Sequence, residues 1–207
     1  MTKYFIMKSM TFVLLALGFA LFANCDKKSD VPFTDSLSQA EINDLLYLRE
    51  EEKLARDVYL YSKALYGIRI FSNISNSEQR HMDKVLGLLE KYGISGPVSA
   101  EEGVFNNPEL QNLYDELTAK SALSLLDALV VGATIEDLDI RDIEAYEART
   151  AKSDLLSVYS SLKCGSRNHI RAYSSQITSN GDTYVPQYLS QMQYEDIINE
   201  SHESCGF

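Results

Sequence analysis

Nothing in this chain reads as a buried β-strand, no run of like charges is long enough to make a tail, and no segment repeats. The lack of strand signals leaves an all-α reading. Basic residues are also scarce, with 19 Lys and Arg against 30 Asp and Glu. The net charge is −11, and it becomes −13 once the two lysines of the acid-free first 24 residues are set aside. Such a surface excludes nucleic acid as a partner and is repelled by anionic lipid. Cysteine is limited to three residues, none in a CxxC pair, so no rubredoxin-type centre is present and redox chemistry would need an external reductant. What remains is ordinary for a globular protein: 45% hydrophobic, 24% charged, and 207 residues, enough for one domain with a core.

The first 25 residues read as an address. Lys3 and Lys8 precede an apolar run, Met10 to Ala23, that is too short to span a membrane. Leu21-Phe22-Ala23-Asn24-Cys25 resembles the lipobox of bacterial lipoproteins. The resemblance implies cleavage before Cys25, a diacylglycerol on its sulfur and anchoring at a membrane of the cell envelope. Secretion with Cys25 incidental is the alternative. Residues 1–24 are then a signal peptide, 25–37 a flexible tether and 38–207 the folded domain. In an oxidising envelope the remaining Cys164 and Cys205 are expected to form a disulfide pinning the C-terminal tail to the last long helix.

Four long helices follow from spacings of three and four. The first begins after Ser38, with a capping-box spacing to Glu41, and stops at Gly67. Its seam is Leu45, Leu48, Glu52, Ala55, Tyr59 and Ser62. Glu50 and Glu51 flank Glu52, and a solvated face holding all three is the plain reading; Glu51 shares a face with Leu54, Val58 and Leu65 and competes with Glu52 for the inward position. The second helix, after the short Gly67–Ile70 link, carries Phe71, Ile74, Glu78, His81, Val85 and Leu88 and ends near Tyr92-Gly93. A long connection, broken by Gly96-Pro97, Gly103 and Asn107-Pro108, holds one short helix, Pro108 to Leu117. Its length suits a crossover that lets the second and third long helices run parallel. The third is expected over Ser121–Ala148, with seam Ala122, Leu125, Leu129, Gly132, Glu136, Asp139, Ile143 and Tyr146. The fourth is expected over Ser153–Ile177, with seam Leu155, Tyr159, Leu162, Ser166, His169 and Tyr173, weakened at Gly165. An extended stretch, Thr183 to Ser190, and a short helix near Gln191–Ile198 close the chain, their tyrosines Tyr184, Tyr188 and Tyr194 covering the bundle.

Each long seam is interrupted near its middle: Glu52, Glu78 with His81, Glu136 with Asp139, and His169. Glu and His three apart share one helix face and can share one cation. A buried carboxylate without a partner costs several kcal/mol, so a partner is required. One buried histidine is usually a hydrogen-bonded core residue; mid-seam acids and imidazoles on four successive helices are a more specific signal. Oxygen and imidazole donors without thiolate suit iron or manganese, and zinc less specifically.

At these residues the chain resembles the ferritin-like superfamily of di-iron carboxylate proteins, which includes ferritins and rubrerythrins. Glu52-Lys-Leu-Ala55-Arg56-Asp-Val-Tyr59 looks like the rubrerythrin form ExxARxxY, Glu78-Gln-Arg-His81 matches ExxH, and Glu136 with Asp139 is like the third helix. A fuller similarity is to domain-of-unknown-function family 2202, through Leu48–Tyr59, Ser77–Asp83, Gly165–Tyr173 and Tyr184–Tyr188. The resemblance implies a ferritin-like four-helix bundle holding two iron or manganese ions. Glu52, Glu78, His81, Glu136 and His169 would be ligands, Glu78 and Glu136 would bridge, and Tyr59 or Tyr173 would hydrogen-bond to ligands. Ser166 departs from it, because the fourth helix should carry a Glu there; Asp139 is a replacement carboxylate. A single ion is a second outcome. A metal-free bundle with Arg56 or Arg167 paired to the acids is a third. The implied activity is oxidation or peroxide reduction acting on Fe(II), dioxygen or peroxide; the alternative is a metal-binding or structural bundle without turnover. Expected partners are metal ions and, through Cys25, a lipid membrane, with a homodimer left open.

Overall fold

The computed structural model describes residues 36–206; the signal segment, Cys25 and most of the tether lie outside the described residues. Six helices follow in order: α1 Gln39–Tyr66, α2 Arg69–Lys91, α3 Pro108–Ser121, α4 Leu125–Glu147, α5 Ser153–Ser179 and α6 Gln191–Asn199. No strand occurs among the described residues, and the fold is all-α.

Local chemistry sets the boundaries. The Ser38 hydroxyl accepts the Glu41 N–H while the Glu41 carboxylate accepts the Ser38 N–H at 2.8 Å, so α1 starts where the capping box requires. Its end is Gly67 at φ +67°, whose N–H reaches Lys63 O. The third long helix departs from expectation. Ser124, not a residue before Ser121, captures the Asp127 N–H at 3.0 Å, so α4 begins at Leu125. Ser121 instead ends α3, its carbonyl held by the Tyr66 hydroxyl at 2.7 Å, and Ala122 leaves the seam. Gly165 causes no break, because α5 runs through it continuously.

α1–α2 and α4–α5 are two helical hairpins. Tyr59 meets Glu136 while Arg149 meets Asp44, so α1 and α4 are antiparallel. Lys84 meets Ser161 while Lys91 meets Asp154, so α2 and α5 are antiparallel as well. It follows that α2 and α4 run parallel, as a long crossover permits. The apolar core is split in two. One cluster contains Tyr59, Phe71, Leu129, Tyr173 and Ile177, the other Leu45, Val85, Leu89, Ile143 and Leu162. The polar mid-seam residues lie between them.

The outer side of α1 is not solvated. Glu50 accepts the Asn106 and Asn107 N–H groups at 3.0 Å each, and Asp57 accepts the Gly103 N–H at 2.9 Å. Lys53, fully buried, pairs with Asp57, donates to Glu101 O at 2.9 Å and lies 4.3 Å over the Phe105 ring. Three charged residues on one face therefore dock the crossover. The C-terminal tail is anchored in the same manner. Buried Asp137 of α4 accepts N–H groups from Gln187, Tyr188 and Leu189 and the Tyr184 hydroxyl. The Cys164–Cys205 disulfide forms as expected, with Cα atoms 5.5 Å apart. No described helix is long and apolar enough to cross a membrane.

Asp137→Ala removes the acceptor of three backbone N–H groups and one hydroxyl at a buried site. It is expected to cost about 3 kcal/mol in urea denaturation. A loss below about 1 kcal/mol would mean that the tail docks by apolar contact alone.

Candidate metal centre

α1 contributes Glu52, α2 contributes Glu78 and His81 from one face, α4 contributes Glu136 and Asp139, and α5 contributes His169. All are buried, and His169, at 9% exposure, is the most open of the six. His81 Nδ1 lies 3.0 Å from Glu52 Oε2 and 2.7 Å from Glu78 Oε2. His169 Nδ1 lies 2.9 Å from Glu78 Oε1 and 3.3 Å from Glu136 Oε2. The two rings stack with centroids 5.7 Å apart. Two triads result, Glu52–Glu78–His81 and Glu78–Glu136–His169, and within each the donor atoms lie inside 4.8 Å of one another. Glu78 belongs to both, one oxygen on each side.

The angles matter as much as the distances. Neither Glu78 oxygen receives a hydrogen bond despite its short distance to an imidazole, and Glu52 Oε1 and Asp139 Oδ2 also lack one. Buried carboxylate oxygens left in this way are open to a cation placed among them. Each triad could hold a cation of the oxygen-and-imidazole class. Asp139 stands outside both triads, beside them on the Glu136 face of α4.

Electrostatics repeat the point. Burial lifts Glu52 to about 8 against the pull of His81. It also lifts Asp139 well above its ordinary range, reinforced by Glu52, Glu136, Glu51 and Glu78. Burial would depress His81, but Glu78 and Glu52 overcome it and raise it to about 9. The same balance, with Glu78 and Glu136, lifts His169. Glu78 is held well below the carboxylate range because His81 and His169 outweigh its burial. The raised groups favour their protonated forms, and a cation among them would compete with those protons.

Around the triads, the Tyr59 hydroxyl donates to Glu136 Oε1 at 2.6 Å. Tyr173 instead packs on Tyr59, centroids 5.4 Å apart, and against Gly132, where a Cβ would lie 2.5 Å from its ring. Ser166, one turn before His169, turns its hydroxyl to Leu162 O at 3.3 Å. Glu52 is the inward acid. Glu51 is buried elsewhere, accepting the Tyr146 hydroxyl at 3.2 Å, with its carboxyl pushed well up by burial and by Asp142. The solvated-face reading of Glu50, Glu51 and Glu52 is thus overturned, because neighbouring elements cover α1 on more than one side. Arg56 pairs with Asp57 and Arg167 with Glu203, so neither is spent on the central acids. Sequence reasoning missed the buried Lys53–Asp57 pair, although their i, i+4 spacing was a usable signal.

Fold and site define a helical bundle with a buried carboxylate–histidine cluster. The chain belongs to the family described as "Uncharacterized protein domain (DUF2202)", which matches residues 41–201 and so includes all six cluster residues. It is similar to "Uncharacterized protein MJ0754" of Methanocaldococcus jannaschii, 49% identical over 168 residues that cover 81% of this chain and 91% of that protein. A solved structure, "Crystal structure of hypothetical protein MJ0754 from Methanococcus jannaschii DSM 2661", matches with a TM-score of 0.80 at 49% identity, covering 81% of this chain and 96% of that one.

Two outcomes follow for the metal-free protein. Unfolded Glu52 and His81 titrate near 4.5 and 6.5, the folded groups near 8 and 9, so over that range the folded state binds more protons. Stability is therefore expected to fall as pH rises from about 5 to 9, while Glu78, shifted downward, withdraws its contribution only on acidification below its unfolded value. Urea midpoints measured in chelator across that range check the sign; a flat or rising profile would refute it. Separately, Gly132→Ala drives a methyl into the Tyr173 ring and is expected to cost about 2 kcal/mol, read as a lower Tm.

Proposed function

We propose that the protein is a ferritin-like carboxylate protein that holds two iron or manganese ions and acts as an oxidoreductase on Fe(II), dioxygen or peroxide. The observation that carries this reading is Glu78, fully buried, with one oxygen directed into each triad and neither hydrogen-bonded. Glu52, Glu78 and His81 would hold one ion, and Glu78, Glu136 and His169 the other. Asp139 brings the acids to four, matching the charge of two dications beside neutral imidazoles. It stands in for the carboxylate that α5 lacks at Ser166. Iron or manganese bound there would supply one-electron chemistry toward dioxygen or peroxide. The chain's own part is to fix the donors. Tyr59 orients Glu136 through its hydroxyl, and the two apolar clusters keep water from the band between them. Electrons must come from outside, since no CxxC pair is present.

We place the protein in the cell envelope, attached through a lipid on Cys25. The lipobox-like Leu21–Cys25 supports this, and so does the Cys164–Cys205 disulfide, which is at home in an oxidising compartment. Ser166 favours a second reading, in which the bundle binds metal without turnover.

The test is metal analysis of a soluble form starting at Asp30, grown with iron and with manganese. Two equivalents are expected, with Glu78→Ala losing both and Glu52→Ala or Glu136→Ala losing one each. Consumption of dioxygen or peroxide on adding Fe(II) then separates the oxidoreductase from the binding module. No bound metal under either condition would sink both readings.

A further inference from the structure

After α6 the chain crosses back over the bundle as a strap, residues 200–206, without helix or strand. On α5 it is held by the Cys164–Cys205 disulfide, by Arg167 and Arg171 on the Glu203 carboxylate, and by Asn168. Asn168 accepts the Glu203 N–H at 2.9 Å and donates to Glu203 O at 3.0 Å. Toward α2, Lys84 donates to Gly206 O at 3.3 Å and to Ser161 Oγ at 3.1 Å, and the Ser161 hydroxyl donates to Cys205 O at 2.7 Å. These contacts are close to the cluster in the chain: Lys84 lies one turn past His81, and Asn168 directly precedes His169. His81 and His169 stack across this same α2–α5 seam. Because α2 and α5 belong to different hairpins, the strap is a cross-brace between them at the level of the two histidines.

We infer that Cys164–Cys205 is a thiol-exchange site whose reduction releases the strap and loosens α2 against α5 beside the two histidines. Among the described residues the disulfide is the strap's covalent hold on the bundle. Between Glu200 and Gly206 Cys205 is the single apolar residue, and the remaining anchors are partly buried hydrogen bonds and ion pairs, such as Glu203 at 27% side-chain exposure. The rest of the tail does not depend on the disulfide, since Asp137 and the Tyr194–Ser174 bond hold it independently.

The chemistry is directional. Cys205 is partly exposed and Cys164 is buried, so an incoming thiolate attacks the Cys205 sulfur. A mixed disulfide forms on Cys205, and Cys164 leaves as a thiolate one helical turn from the Arg167 guanidinium. The second thiol of a dithiol reductant then displaces Cys205. The pair takes up two electrons and two protons, and the reductant leaves as its own disulfide.

Loosening of the seam does not require a bound metal; its consequence for the ions rests on the two-cation reading. Amide hydrogen exchange on the metal-free protein, oxidised and after phosphine reduction, tests the loosening. Residues 200–206, 80–84 and 164–169 are expected to exchange at least tenfold faster when reduced, with residues 184–189 unchanged. Unchanged exchange, or faster exchange confined to 200–206, would overturn the inference. In the Cys164→Ser/Cys205→Ser variant loaded with cobalt(II), release to a chelator is expected to be at least fivefold faster than in the disulfide-bonded protein, and equal rates would overturn the link to the site. Failure of either protein to take up cobalt would count against the two-cation reading, while the exchange result would still decide the seam.

Discussion

The fold depends on the burial of Glu78. A carboxylate with no exposure, between two imidazoles and among three further acids, is tolerated only if opposite charge is held around it. That requirement explains why His81 and His169 face each other across the α2–α5 seam and why both are pushed toward the protonated form. It also explains why the apolar core is two clusters rather than one. The bundle is an apolar column interrupted at mid-height by a charged layer, and the helix pairings align four seams at that layer.

Buried acids in this protein fall into two kinds, and their hydrogen bonds separate them. Glu50, Asp57 and Asp137 accept backbone N–H groups from the crossover or the tail. Such acids satisfy loops that otherwise would bring unpaired donors into the interior. Glu52, Glu78 and Asp139 face imidazoles and other acids, and each keeps an oxygen outside any well-aligned hydrogen bond. The first kind needs nothing beyond the chain. The second is the arrangement that a cation would complete, and it identifies the candidate centre by a criterion independent of similarity to any relative.

Membership in an uncharacterised family and similarity to a relative of 49% identity supply no chemistry. The chemistry here comes from atoms. On α5 the Ser166 hydroxyl, three residues before His169, turns to Leu162 O, whereas on α2 the residue three before His81 is the Glu78 carboxylate. The strap adds a second asymmetry, bracing the two hairpins on the side of the two histidines by a bond that responds to thiols.

The sequence by itself determined the helices, their seams and the level at which Glu52, Glu78, His81, Glu136 and His169 meet. A 3.6-residue period and four mid-seam interruptions carry that information along each helix without reference to its neighbours. It also marked the helix start at Ser38 and the stop at Gly67, where cap chemistry is local. The start of α4 was not legible, because Ser121 and Ser124 are both competent caps and the choice was made by Tyr66 holding Ser121 O. Spacing favoured Glu52 as the inward acid and left Glu51 in competition with it, while the three step around α1 by about 100° each, so the fate of the other two was not legible. Only the tertiary structure decided that all three are buried, each against a different neighbour: the crossover, Tyr146 and His81. A helical period reveals which residues share a face; how many faces are covered depends on segments distant in sequence that pack against them.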